Sequence, residues 1–216
     1  MFLPAGPTYG RVALPPKIEN RDTALHKDFQ LLLDRKFSRK LQSIEKTARI
    51  RLELLDAATS LRGLELPGLR LEARKGDRKG QHSIRVNDQF RICFEWRDGD
   101  AHDGKLSTTT ESRHGHGYRQ TKKLPPIHPG DVLQDLLAEA GLTTNALALA
   151  LRVPAIRIGS IIKGQRGITA DTALCLARYF GTSAQMWLNL QSKYDLAVAE
   201  DTISRRIERE VLPRSA

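Results

Sequence analysis

The sequence predicts two units in tandem: an α+β unit of helices packed on an antiparallel sheet, then an all-α unit. Three observations carry this. Apolar residues recur at helical spacing from Ala24 to Leu61, the period drops to two between Leu69 and Trp96, and helical spacing returns beyond Pro125-Pro126 and persists to the end. The stretch between the last two patterns is poor in large apolar residues and rich in Gly, Thr, His and Ser, as a linker is.

The elements follow in order. Pro4, Pro7, Pro15 and Pro16 with Gly6 and Gly10 oppose both helix and strand, so residues 1–23 read as a disordered extension. Phe29, Leu32 and Leu33, then Leu41, Ile44, Ala48, Leu52 and Leu55, predict two helices broken near Phe37 to Arg39. Pro67-Gly68 ends them. Leu69 and Leu71, His82 to Val86 and Phe90 to Trp96 predict strands, with turn chemistry at Asn87-Asp88 and at Asp98-Gly99-Asp100. In the second unit Leu133, Leu136, Leu137, Leu147, Leu151, Ile158, Ile161, Ile162, Leu174, Leu176, Trp187 and Leu188 are the expected core. The boundaries expected are 24–103 for the first unit, 104–123 for the linker, 124–200 for the second unit and 201–216 for a helical tail.

Composition narrows the function. A chain of 216 residues, 40% hydrophobic and 28% charged, can bury two small cores. A net charge of +10 favours a polyanionic partner, because Lys and Arg gain affinity by releasing counterions from phosphates. Cys93 and Cys175 sit among apolar neighbours and read as small core residues rather than a disulfide. His114 and His116 lie in a polar loop without companion ligands, so no metal and no cofactor is expected. Without a run of 18 apolar residues or a signal-peptide pattern, the expectation is a cytoplasmic protein with no membrane partner.

Within the second unit, Leu142 to Leu151 forms one short helix and Ala155 to Ile162 another, joined through Val153-Pro154 and closed by Lys163-Gly164. Two short helices about a tight turn, the second narrow and tipped with small and basic residues, are the geometry that enters a DNA major groove. Leu147-Ala148, Leu151, Val153, Ile158, Ile161 and Gly164 resemble the core of the lambda-repressor-like helix-turn-helix family. The wider run of Leu124 to Gly130, Arg166 to Leu174 and Gly181 to Gln191 is similar to the HigA branch of antitoxins. That resemblance implies an operator-DNA partner and a homodimer formed through this unit. Ala155, Ile156, Arg157 and Ser160 would face bases, and Thr144, Lys163 and Arg166 would hold phosphates. Two positions depart from the family. Arg152 stands where the turn usually has Gly and often needs φ > 0, and Ile156 stands where a polar reader is common. His128 reads as a cap or core-edge residue and Trp187 as core.

In the first unit, Arg85 and Arg91 fall on adjacent strands across a short turn. On charge alone they make no more than a solvated basic face. Leu55-Asp56-Ala57-Ala58, Pro67 to Glu72, Lys75-Gly76-Asp77-Arg78-Lys79-Gly80 and Ser83 to Phe94 resemble HigB toxins of the RelE superfamily. The resemblance implies a metal-free endoribonuclease whose partners are the ribosome and messenger RNA. Arg91 and Arg85 would be its catalytic cations, and Lys75, Arg78 and Lys79 would bind RNA. The family's short apolar opening strand, replaced here by polar Asn20-Arg21-Asp22-Thr23, and its final Asp-Tyr-His triplet are missing; Leu106 to Glu111 stands where the triplet would be. General acid–base help contributes about 10² to 10⁴ in rate, so an impaired nuclease is expected. Three readings stay open: an antitoxin fused to a toxin relic, an active nuclease restrained by its tethered antitoxin, and a toxin-like domain kept for pairing. His82 is the nearest candidate for proton transfer, though a plain surface histidine is the simpler account. Residues 103–111 also match what loss of one base would make from a frame encoding Asp-Val-Glu-Val-Val-Asp-Tyr-His, and that origin would leave the sheet without its final strand.

Overall fold

The computed structural model describes residues 24–36, 41–75, 79–108 and 123–212. The expected extension 1–23, the helix break at 37–39, most of the expected linker, Arg78, His114 and His116 lie outside the described residues.

Two helices open the chain, α1 (Ala24–Leu33) and α2 (Glu45–Ala57), followed by a short 3-10 turn at Leu61–Leu64. A four-stranded antiparallel meander comes next: β1 (Glu72–Ala73), β2 (Gln81–Arg85), β3 (Phe90–Arg97) and β4 (Asp100–Thr108), in spatial order β1-β2-β3-β4. Ile84, Ile92 and Leu106 stand opposite one another across three strands and are buried against the helices. Because side chains alternate along a strand, Ser83, Arg85, Arg91, Cys93, Lys105 and Ser107 share the opposite face.

Two expectations fail here. Leu69 and Leu71 lie before the first strand, which is only two residues long; positive φ at Gly68 (77°) and Arg70 (44°) interrupts the extended run. The linker does not begin at 104. Asp98 (φ 53°) and Gly99 (φ 82°) supply the two positive-φ positions of a tight hairpin turn that pairs Arg97 with Asp100. The chain then runs back along β3 to Thr108, with an irregularity where Asp103 takes φ 52°, so the sheet keeps a final strand.

The all-α unit contains α3 (Pro129–Glu139), α4 (Thr144–Leu151), α5 (Ala155–Ile162), α6 (Ala170–Phe180) and α7 (Ala184–Glu210). Helix α7 is continuous, so the expected boundary at 200 is not a break. Of the expected core, Leu174 is exposed: Ala173, Leu176 and Ala177 take the inward face of α6, and Leu174 lies outside that arc. Trp187 is fully buried and its Nε1–H donates to Thr182 Oγ1 at 2.9 Å.

The two units share one continuous apolar core, with α2 packed against both α3 and α7. Polar contacts line the seam. Arg51 of α2, fully buried, pairs with Asp135 and with Glu139 (3.4 Å), both on α3. Arg49 donates to the Pro125 carbonyl, and Asn189 Nδ2 donates to the Ala57 carbonyl at 3.2 Å. Lys193 of α7 lies 2.9 Å from Glu53 and 2.6 Å from Asp56. Burial pushes the Lys193 ammonium down, but the two carboxylates together outweigh it and hold its pKa above the ordinary lysine value. Arg35 and Lys123 converge on Asp201.

Candidate nucleic-acid interface

Helix α4 starts at Thr143, whose Oγ1 accepts from the Ala146 N–H at 3.1 Å. It stops at Arg152, which adopts the left-handed conformation (φ 54°, ψ 42°) that the turn requires and that glycine fills without strain. Pro154, with fixed φ, turns the chain into α5. Ile158 and Ile161 face inward and are fully buried, leaving Ala155, Ile156, Arg157 and Ser160 on the outer side. Ile156 is 79% exposed. Thr144 lies half-buried in the first turn of α4, while Lys163 and Arg166 are exposed just past α5, with Gly164 at φ 68° between them.

The helix pair is braced from behind. A Cβ on Gly130 would fall 1.9 Å from the Ile161 carbonyl oxygen, so glycine is what lets the start of α3 touch the end of α5. His128 caps α3, its Nδ1 accepting from the Gly130 N–H at 2.9 Å, and its ring meets Tyr194 of α7 edge-on at 4.6 Å. Burial holds the His128 pKa below the ordinary imidazole value, against the pull of Asp131 and Asp195.

Arg157 is not free. Its Nη1 donates to Asp171 Oδ2 at 2.6 Å, and Thr169 Oγ1 donates to the other carboxylate oxygen. The Thr169 hydroxyl first, with help from the Thr172 N–H and Arg157, holds Asp171 below the usual carboxylate range. Neither Thr169 nor Asp171 stood out in the sequence except as part of a family-like run; a Thr-x-Asp at a helix start is the signal that could have marked them.

The arginines of the sheet are more heavily engaged. Arg91 donates through Nε to Ser83 Oγ (3.0 Å) and through Nη2 to the Arg70 carbonyl (2.7 Å), with Glu72 at 3.2 Å. Arg85 pairs with Asp88 at 2.7 Å and reaches to 4.0 Å from Glu139 of α3. The bond to Asp88 raises the Arg85 pKa and lowers that of Asp88. Lys75 and Lys79 are exposed on the connection from β1 to β2. The sheet histidines stand apart from these cations. His82 is paired with Phe94 and stacks on its ring at 5.9 Å, on the face away from Arg91. His102 is opposite Glu95, four residues along β3 from Arg91, or about 13 Å. Among the described residues no group of His, Cys, Asp and Glu could hold a metal ion, and no helix is long and apolar enough to cross a membrane.

Residues 19–107 match the sequence family described as the RelE-like toxin of type II toxin-antitoxin system HigB. Toxin HigB-1 of Vibrio cholerae is 48% identical over 58 residues, which is 26% of this chain and 61% of that toxin. The remaining region has different relatives. Virulence-associated protein I of Dichelobacter nodosus is 56% identical over 79 residues, 36% of this chain and 73% of that protein. Antitoxin HigA-1 of Vibrio cholerae is 35% identical over 79 residues, again 36% of this chain and 73% of that protein. A first region like a HigB toxin is thus followed by one whose relatives are regulators and antitoxins, and by its C-terminal unit the chain belongs to the HigA-type family of helix-turn-helix proteins.

Proposed function

We propose that this chain is a toxin–antitoxin pair in one polypeptide, whose C-terminal unit binds operator DNA as antitoxin and transcriptional repressor. The observation that carries this is the outer side of α5. Ala155, Ile156, Arg157 and Ser160 are turned away from the core on a helix whose inner side is fully buried, with Lys163 and Arg166 exposed beside it. Such a helix fills a major groove, Arg157 reading a base edge while Thr144, Lys163 and Arg166 hold phosphates. Two copies of the chain would span the two half-sites of a palindrome. The toxin-like unit we read as an impaired messenger-RNA nuclease. Arg91 and Arg85 would stabilise the phosphorane, and Lys75, Arg78 and Lys79 would draw in RNA. The displacement of His82 and His102 from Arg91 supports impairment, because it leaves no sheet histidine to move the proton.

The test is a titration of the purified chain against the DNA upstream of its own gene at several salt concentrations. Affinity should fall steeply with salt, and Arg157→Ala should cost about 1 to 3 kcal/mol and relax sequence preference. Equal affinity for scrambled DNA would sink the proposal. For the toxin-like unit, primer extension on ribosome-bound message should show little or no cutting; strong cuts that vanish in Arg91→Ala would make the nuclease active.

A further inference from the structure

Arg157, Lys163 and Arg166 are all cations beside the same outer surface, yet among the described residues only Arg157 has a carboxylate partner. That partner comes from another helix. Asp171 sits in the first turn of α6, and its second oxygen is taken by Thr169, whose hydroxyl also lies 3.3 Å from the hydroxyl of buried Thr172. The carboxylate therefore has its direction fixed before it meets the arginine.

The consequences follow from charge and geometry. A free arginine carries a full positive charge, which favours phosphate, and a flexible side chain whose freedom is lost on docking. An arginine already paired with a carboxylate has its charge balanced, so its pull on phosphate is weakened. Its hydrogen-bond donors remain. With Nη1 held by Asp171, the Nε–Nη2 edge of Arg157 has no partner among the described residues. Two parallel N–H groups match two neighbouring acceptors, and of the four bases only guanine offers such a pair in the major groove, at O6 and N7.

We propose that Asp171, anchored by Thr169, is a positioning residue that dedicates Arg157 to reading guanine, while the exposed Lys163 and Arg166 hold phosphate. The inference rests on operator binding by α5. Thr172, Thr169, Asp171 and Arg157 form one relay from the core outward to the base edge, and its effect is on sequence discrimination rather than on total affinity.

The experiment compares the full chain with Asp171→Asn, Thr169→Val, Arg157→Ala and the Arg157→Ala/Asp171→Asn double variant by fluorescence anisotropy. The probes are its upstream DNA, the same DNA with single guanines replaced by 7-deazaguanine, and a scrambled duplex. Asp171→Asn should weaken binding to the upstream DNA by about tenfold while leaving the scrambled duplex bound equally or more tightly. Thr169→Val should do the same to a smaller extent. One 7-deazaguanine should weaken the unaltered chain but not Asp171→Asn, and Asp171→Asn should have no further effect once Arg157 is alanine. Thermal unfolding checks that each variant is folded. Asp171→Asn tightening both duplexes alike would make Asp171 a mere repulsive charge and overturn the proposal. So would an undiminished effect in the Arg157→Ala background. If the unaltered chain fails to distinguish upstream from scrambled DNA, operator binding itself fails; if it does distinguish them and Asp171→Asn is indifferent, only the positioning role falls.

Discussion

The two basic surfaces of this molecule differ in how their arginines are occupied. On the sheet, Arg91 is held by Ser83, the Arg70 carbonyl and Glu72, and Arg85 is shared between Asp88 and Glu139. On the helical unit, Arg157 gives one nitrogen to one carboxylate, and Lys163 and Arg166 are exposed with no carboxylate partner among the described residues. A phosphate approaching the sheet must displace acceptors already in place, which costs part of what it gains; one approaching α5 meets donors still available. The number of cations therefore does not by itself set how readily a surface takes phosphate. What matters is how many donors the fold has already satisfied.

The comparison can be broken hardest at the seam, where another arginine, Arg51, is occupied completely. Asp135→Ala leaves the buried Arg51 with one carboxylate, Glu139 at 3.4 Å, and the Arg85 carbonyl at 3.2 Å, and should destabilise the chain by about 3 kcal/mol. Each unit holds one tryptophan, Trp96 on β3 and Trp187 on α7, so urea unfolding followed in Trp96→Phe and Trp187→Phe backgrounds reports on each unit separately. Coincident transitions are expected with Asp135 and separated ones without it. A variant whose transitions stay superimposed at the original midpoint would mean that the ion pair does not couple the units.

A smaller effect of opposite sign is expected at Arg152. Its left-handed backbone is one that glycine occupies freely, so Arg152→Gly should stabilise the helical unit by about 1 kcal/mol, seen as a rise of a few degrees in melting temperature. A lower melting temperature would mean that the Arg152 side chain contributes more than its backbone costs. The mildest effect concerns His128. Its imidazole is half-buried and accepts a hydrogen bond at Nδ1, and partial burial lowers its folded pKa below the unfolded value. As the pH falls below the unfolded value of about 6.5 the unfolded chain takes up this proton first. The stability contributed by neutral His128 is thus present above that pH and lost on the way down to the folded pKa. His128→Asn, which retains a capping oxygen, should flatten this slope; an unchanged slope would move the titration to another group.

Much of the helical unit was legible because its signals are local. Thr143, Pro154 and Gly164 punctuate helices whose inward residues recur every three or four positions, while the need for φ > 0 at Arg152 came from the family resemblance, which places glycine there. Leu174 was misread because hydrophobicity does not by itself say which side of α6 a residue takes. The last strand was missed for the opposite reason. Residues 100–108 are polar and weak in strand propensity, yet the Asp98-Gly99 turn brings them back along β3, and Leu106 finds Ile92. The engagement of Arg91 and Arg157 could not be read at all, since Glu72, Ser83, Thr169 and Asp171 reach them only through tertiary packing.

The seam between α2, α3 and α7 also has a consequence for dosage. Because Arg51, Asp135 and Glu139 belong to one chain, every molecule carries both partners in a ratio of one to one, whatever the rates of synthesis or decay. A joined pair meets itself at an effective concentration on the order of millimolar, far above what a separate competitor reaches in a cell. A free copy of either half would find its docking surface already taken. On the proposed reading, a response that depends on one half outnumbering the other would be closed to this chain, and the state of the seam would change only by opening it from within.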